Sequence, residues 1–330
     1  MNNKLLPIAL IIVLIVGCKS EDQKQKKSGQ KTQEREQVFV PEFDADSAYN
    51  FVEKQMTFGP RVPGTPAHVK CARYLSKTLE RFADEVVVQD FKARDYAGKT
   101  LNGKNIIGIF QPDKKARILL GAHWDSRFVA DHDPVPENKT KPVPGANDGA
   151  SGVGVLLEIA RQLNQHAPDV GIDIIFFDLE DQGEPEGLQM QAEDDWALGS
   201  QHWSKSPHKP GYRAKYGILL DMVGVSDAVF GKEGTSVYYA RHLLEKVWSI
   251  ARDIGYENYF IDEETPSILD DHFYVNQIAK IPMIDIIQYD RKTYTGFFEY
   301  WHTINDTMEH IDPATLKVVG EVVLQVIYME

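Results

Sequence analysis

Apolar side chains recur at helical spacing over 44–58 and 68–82, and again in the segments SGVGVLLEIARQLNQ, TSVYYARHLLEKVWSIARDIG and PATLKVVGEVVLQVIYM. Between these lie short runs dense in β-branched and aromatic residues: EVVVQDF, KNIIGIF, ARILLGAHW, DIIFFDL, YGILLDMVG and IPMIDII. The loop FGPRVPGTP packs turn-forming residues together between the first two helices. Buried strands alternating with helices predict one α/β domain, a mixed and largely parallel central β-sheet flanked by helices. That domain is expected to occupy residues 38–330, its sheet core starting near residue 44, with no second domain and no internal repeat.

The start of the chain breaks the pattern. MNNKLLPIALIIVLIVGCKS has a basic end at Lys4, an apolar stretch over 5–16 and a small-residue junction at Gly17-Cys18, as a signal sequence does. The apolar stretch is short for a bilayer span. Its ending, LIVGC, resembles a bacterial lipobox, which makes Cys18 the lipidated first residue of the mature chain. A plain secretory signal with an incidental cysteine is the alternative. Residues 19–37 carry almost no apolar side chains, so they cannot offset their ordering entropy and read as a flexible polar tether. The expectation is therefore an exported protein held by a lipid anchor in the bacterial envelope, in the periplasm or at the outer membrane. Cys71 is then the one cysteine left; no intrachain disulfide can form, and a small buried thiol is expected there.

Charge narrows the partners. A net charge of −13 argues against a nucleic-acid binder, which needs a basic face. Part of the acidity lies where it can do chemistry, because apolar strands run straight into acids and histidines. ILLGAHWDSR carries His123 and Asp125, PGANDGASG carries Asp148, and IIFFDLEDQGE carries Glu180 and Asp181. YGILLDMVG carries Asp221, ILDDHF carries Asp270, Asp271 and His272, and EYWHTIND carries Trp301, His302 and Asp306. Any one of these has an ordinary reading as a surface pair, helix cap or solvated strand end. Several such strand ends meeting at one sheet edge would be costly without a partner, and imidazole with carboxylate suits a zinc ion.

In this order, HWDS, GANDGASG, LED, LLDMVG and WHT resemble the zinc aminopeptidase-like superfamily over roughly residues 44–330, and FGPRVPGTPAH is similar to its arginine-proline-glycine segment. The superfamily holds di-zinc aminopeptidases and glutaminyl cyclases. The peptidases place Gly-Leu-x-Gly-Ser within a few residues of their acidic pair. Here seventeen residues, QGEPEGLQMQAEDDWAL, separate Asp181 from Gly199-Ser200. That insertion, Trp301 directly before His302, and the Asp270-Asp271-His272 run are similar to the cyclases; GANDGASG looks more like a peptidase.

The resemblance implies a bacterial zinc-dependent glutaminyl cyclase, an acyltransferase that converts N-terminal glutamine of peptides and proteins to pyroglutamate. It implies one zinc per chain on Asp148, Asp181 and His302. Many cyclases carry Glu at the second of these, and the shorter Asp181 must still bring an oxygen to about 2.0–2.2 Å from the metal. Glu180 would move the proton, with Asp221 and Asp270 forming an acid network beside it. Trp301 would wall the glutamine side chain, and Trp196 on the insertion offers a second wall or else a core position. His123, Asp125, Asp271 and Asp285 would support the site from behind through hydrogen bonds, Asp285 by joining the acid network, with an ordinary structural role as the alternative. The rival readings are a di-zinc aminopeptidase, which would use two metals and recruit His123 and Asp125 as ligands, and a non-catalytic binding protein on the same scaffold. A monomer is expected.

Overall fold

The helices start where the sequence supplies caps. Asp44 accepts the amide of Ser47 at 3.0 Å and opens α1 (Ala45–Met56). Thr65 accepts the amide of His68 at 3.2 Å and, with Pro66 in the first turn, opens α2 (Pro66–Leu79). Two strands follow as a hairpin, β1 (Glu85–Arg94) and β2 (Thr100–Phe110), then β3 (Arg117–His123), α3 (Ala150–Gln165) and β4 (Gly171–Phe177). The chain continues through α4 (Leu198–Lys205), β5 (Tyr216–Asp221), β6 (Phe230–Glu233), α5 (Gly234–Asp253) and β7 (Phe260–Thr265). It ends with α6 (Asp271–Tyr274), β8 (Met283–Ile287) and α7 (Pro313–Tyr328). This computed structural model describes residues 1, 38–188, 190 and 194–330. The expected signal sequence, the lipidated Cys18 and the tether over 19–37 lie outside the described residues.

Val38–Glu330 form one compact unit. Its six-stranded sheet runs β1-β2-β4-β3-β5-β8; β1, β2 and β4 pair antiparallel, while β4, β3, β5 and β8 are mutually parallel. Pleating sends alternate residues to opposite faces. Ile118, Leu120 and Ala122 of β3 join the larger core with α1, α2, α3, α5 and α7, whereas Leu119 joins a smaller core with Trp203 of α4 and Val275. Layering is tight enough to explain the glycines of α3: a side chain at Gly152 would sit 2.2 Å from the carbonyl oxygen of Leu220, and one at Gly154 2.4 Å from Val52. Four parallel strands put His123, Phe177, Asp221 and Ile287 at one carboxyl edge. Among the described residues no helix is long and apolar enough to cross a membrane.

The architecture agrees with the pattern-based expectation, and the five long helices and six strands fall where predicted. Two short parallel strands, β6 and β7, form an additional sheet that the pattern did not reveal. Their sequences, FGKE and FIDEET, are rich in charge and too short to show a period.

Glu233 joins β6 to α5 and is fully buried. Burial pushes its carboxyl up, but the contact with His272 and the amides of Thr235 and Ser236 outweigh it and bring it from an ordinary 4.5 down to about 2. The resulting stabilisation, on the order of 3 kcal/mol, is complete above the unfolded value and lost as pH falls through the folded one. Urea unfolding should therefore show a gap between the unaltered protein and Glu233→Gln that is wide at about pH 6 and narrower at about pH 3. A gap independent of pH would refute this account.

Candidate active site and metal centre

Three sharp turns aim side chains off the carboxyl edge of the sheet. After β4, Leu179 takes a left-handed backbone (φ 61°), after β5 Met222 does the same (φ 47°), and His302 itself has φ 54°. Asp125, one turn past β3, accepts the amides of Glu180 at 3.1 Å and Asp181 at 3.2 Å and the side-chain amide of Gln182 at 2.9 Å. It thereby holds the Glu180–Asp181 turn from beneath. The GANDG loop is fixed from two sides. Asp306 accepts the amides of Asn147 at 2.8 Å and Asp148 at 3.0 Å. Opposite it, the fully buried Arg61 guanidinium donates to the carbonyls of Trp124 at 2.8 Å, Pro144 at 2.8 Å and Gly145 at 2.6 Å.

These turns bring Asp148, Asp181 and His302 together, each offering one ligand atom within 4.8 Å of the others. His302 Nε2 lies 3.1 Å from Asp181 Oδ1 and 3.6 Å from Asp148 Oδ2. Both carboxylate oxygens of Asp181 are buried with no hydrogen-bond partner, a costly state that a cation would relieve. Two carboxylates and one imidazole are a donor set that zinc accepts, and three protein ligands leave a position for substrate. The residues present fit that metal. Behind His302, Nδ1 faces Asp131 Oδ1 at 3.4 Å, and Arg127 pairs with the other oxygen of Asp131 at 2.6 Å. A carboxylate behind a ligating imidazole fixes its orientation.

A second group shares Asp148. His123 Nε2 lies 3.0 Å from Asp148 Oδ1 and 3.2 Å from Asp221 Oδ1, so His123, Asp148 and Asp221 also offer ligand atoms within 4.8 Å. Burial holds the Glu180 carboxyl well above the ordinary range; His123 opposes this, while Asp270, Asp181 and Asp271 reinforce it. Asp221 is pushed up to about 7 by burial, against the pull of His123 and with the help of Asp148 and Asp270. Asp148 goes the other way: its hydrogen bond with His123 and the charges of His123 and His302 overcome burial.

A cavity of about 410 Å³ opens over this cluster. Asp148, Asp181 and His302 line it together with Glu180, Asp221 and Asp270. Trp301 and Trp196 line it too: Trp301 stacks on His302 with centroids 3.7 Å apart, and Trp196 lies parallel to the same imidazole at 6.2 Å. The Arg127 guanidinium sits 4.6 Å over the Trp196 ring and steadies that wall. His123, Asp125, Asp271 and Asp285 are buried around the cavity but do not line it. Asp285 Oδ2 faces His272 Nδ1 at 3.9 Å, and Asp270, His272 and Asp285 offer a further group of ligand atoms within 4.8 Å of one another. Sequence reasoning missed Asp131 and Arg127, marked the segment that holds Arg61 only through its resemblance, and gave Asp306 no task. Arg127 and Asp131 sit in a run with no period, and the long guanidinium of Arg61 reaches its partners only once the chain is folded.

Chemically, the site can hold a divalent cation at the end of an aromatic slot with a protonatable acid alongside. Comparison with known proteins points the same way. Residues 105–327 match peptidase family M28. The glutaminyl cyclase of Tannerella forsythia is 56% identical, with a TM-score of 0.86, over 88% of this chain and 100% of that one. The glutaminyl cyclase of Bacteroides thetaiotaomicron, solved with N-acetylhistamine, is 52% identical with a TM-score of 0.87 over 88% and 100%. A leucine aminopeptidase precursor from the same species is 51% identical with a TM-score of 0.86 over 89% and 100%.

Proposed function

Because this chain belongs to peptidase family M28 and is 52% and 56% identical to two bacterial glutaminyl cyclases over 88% of its length, we propose that it closes N-terminal glutamine of peptides into pyroglutamate with release of ammonia. The observation that carries the reading is the slot between Trp301 and Trp196 beside His302, with Glu180, Asp221 and Asp270 on its acidic side. A flat, neutral carboxamide suits the aromatic walls, and the substrate α-amine suits the acids.

The family and its cyclase members imply zinc, and we assign one ion per chain to Asp148, Asp181 and His302. Zinc bound there would supply a Lewis acid that polarises the γ-carbonyl of the glutamine. Glu180 takes a proton from the α-amine as its nitrogen bonds to the γ-carbon. The same carboxyl returns that proton to the amide nitrogen as the old carbon–nitrogen bond breaks and ammonia departs. Asp221 and Asp270 border Glu180 and keep the amine end of the substrate on the acidic side. Both reacting atoms belong to one residue, so folding the glutamine into the slot supplies most of the entropic advantage.

His123, Asp148 and Asp221 favour a second reading, a two-metal aminopeptidase, since they form a second ligand group sharing Asp148. One experiment separates the two. A peptide beginning with glutamine should lose about 17 Da, the mass of ammonia, in a chelator-sensitive reaction. Loss of the whole first residue would instead support the peptidase. The same proposal has the enzyme lipid-anchored in the cell envelope through Cys18 and acting as a monomer. Cys18→Ala should abolish incorporation of labelled palmitate into the protein, and unchanged labelling would refute the anchor.

A further inference from the structure

One wall of the cavity, the segment over 266–270, has little support of its own. Pro266, Ser267, Ile268, Leu269 and Asp270 all line the cavity, yet the segment between β7 and α6 is neither helix nor strand. Leu269 is 47% exposed, so packing does not pin the segment either. Its hydrogen bonds explain how it keeps its shape. The amide of Ile268 donates to Glu233 Oε1 at 2.8 Å, and the carbonyl of Ile268 accepts from Thr235 Oγ1 at 3.0 Å. Thus both polar groups of one residue at the middle of the wall are bound by one turn at the start of α5. That turn comes unusually close: a side chain at Gly234 would lie 2.5 Å from Ser267 Oγ and 2.9 Å from Ser267 N.

Glu233 is equipped to be immovable. Oε1 also accepts the amide of Thr235 at 2.6 Å. Oε2 accepts the amide of Ser236 at 2.7 Å and its hydroxyl at 2.8 Å, and meets His272 Nε2 at 3.0 Å. Ser236 Oγ in turn accepts the amide of Asp285 at 2.9 Å. One buried carboxylate thus joins the start of α5, the middle of the wall, and the helix that begins beside Asp270, with β8 attached through Ser236. A buried carboxylate satisfied by this many donors does not drift.

We infer that Glu233 and Thr235 are positioning residues that clamp the wall over 266–270 through Ile268, setting the width of the substrate slot and the placement of Asp270. Neither lines the cavity, and neither belongs to the ligand group of Asp148, Asp181 and His302. The clamp therefore acts on substrate binding and leaves the metal centre alone. The inference rests on the pocket being the glutamine site.

The test compares the full-length enzyme with Thr235→Val, Thr235→Ser and Glu233→Gln. Thr235→Val keeps the shape and removes only the hydroxyl that holds Ile268. It should raise KM for a glutamine peptide about fivefold, the worth of one neutral hydrogen bond. It should leave kcat and zinc affinity, measured by chelator competition, within twofold, and Thr235→Ser should restore KM. Glu233→Gln should raise KM further and lower kcat as Asp270 shifts. Hydrogen exchange supplies a readout that needs no turnover: the amides over 267–270 should exchange faster in Thr235→Val, while those of β5 and β8 keep their protection. Unchanged KM and unchanged exchange overturn the clamp. So does a parallel fall of kcat, zinc affinity and stability in Thr235→Val, which would make Thr235 merely a folding residue. If the unaltered enzyme cyclises no glutamine peptide, the cyclase reading fails by itself, and the exchange result still decides whether the clamp exists.

Discussion

Glu180→Gln is expected to lower kcat by roughly 10²–10⁴, the usual contribution of a positioned proton carrier. KM should move little and zinc should still bind. The substituted amide has nearly the shape of the protonated acid, so the fold has no reason to change. In the metal-free protein stability should rise slightly, because burial and the nearby Asp270, Asp181 and Asp271 make the ionised form costly at this position. A more stable yet inactive protein is a signature that generic damage does not produce. Steady-state kinetics on a glutamine peptide, with metal content and urea midpoints on the same preparations, would show it. Activity within about tenfold of the unaltered enzyme would exclude Glu180 as the proton carrier, and a scaffold used only for binding would show no change in affinity.

Asp181→Asn should remove tight zinc binding and with it turnover. The metal-free protein should respond in the opposite direction. Asp181 is raised by burial and by Asp148, against the pull of His302, and neither of its oxygens has a hydrogen-bond partner. A neutral amide there should stabilise the metal-free fold by about 1 kcal/mol, the order of a buried polar group's penalty. With excess zinc the ranking reverses, since only the unaltered site gains stability from ligand binding. Urea unfolding with chelator and with zinc gives both signs. The same ranking in the two conditions would mean that Asp181 does not hold the metal. Asp131→Ala, one step behind His302, should cost a further 10- to 100-fold in zinc affinity on its own.

The contrast between what sequence shows and what it hides follows from distance along the chain. Strands β3, β4, β5 and β8 are legible because each buries both faces and so is nearly continuous in apolar residues. Asp148 and Asp181 stand out because each lies close to a helix start or strand end, where an acid is unexpected, whereas His302 lies in the loop between β8 and α7 and is marked only by the motif around it. Asp131 and Arg127 give no such signal. They lie in a run without period, and their meaning arises only when Arg127 reaches across to the carbonyls of Asp181 and Gly183. Trp196 could be read as wall or core because its segment has no period of its own; its place is set by Arg127 above it and by Gly183, where any side chain would collide with the indole. The small sheet of β6 and β7 was hidden by charge, and with it the whole arrangement around Glu233.

Leu179, Met222 and His302 bear on how this protein can be improved. Each is a non-glycine residue in left-handed backbone beside a functional side chain, a conformation that stores about 1–3 kcal/mol. Glycine would relax the backbone at 179 and 222, yet the Leu179 and Met222 side chains are themselves buried, and losing them would cost about 2–5 kcal/mol, more than the strain returned. The tension is therefore held in place by packing, and selection for heat resistance alone would keep it. The hinges that aim Glu180 and Asp221 are secured by the core beneath them.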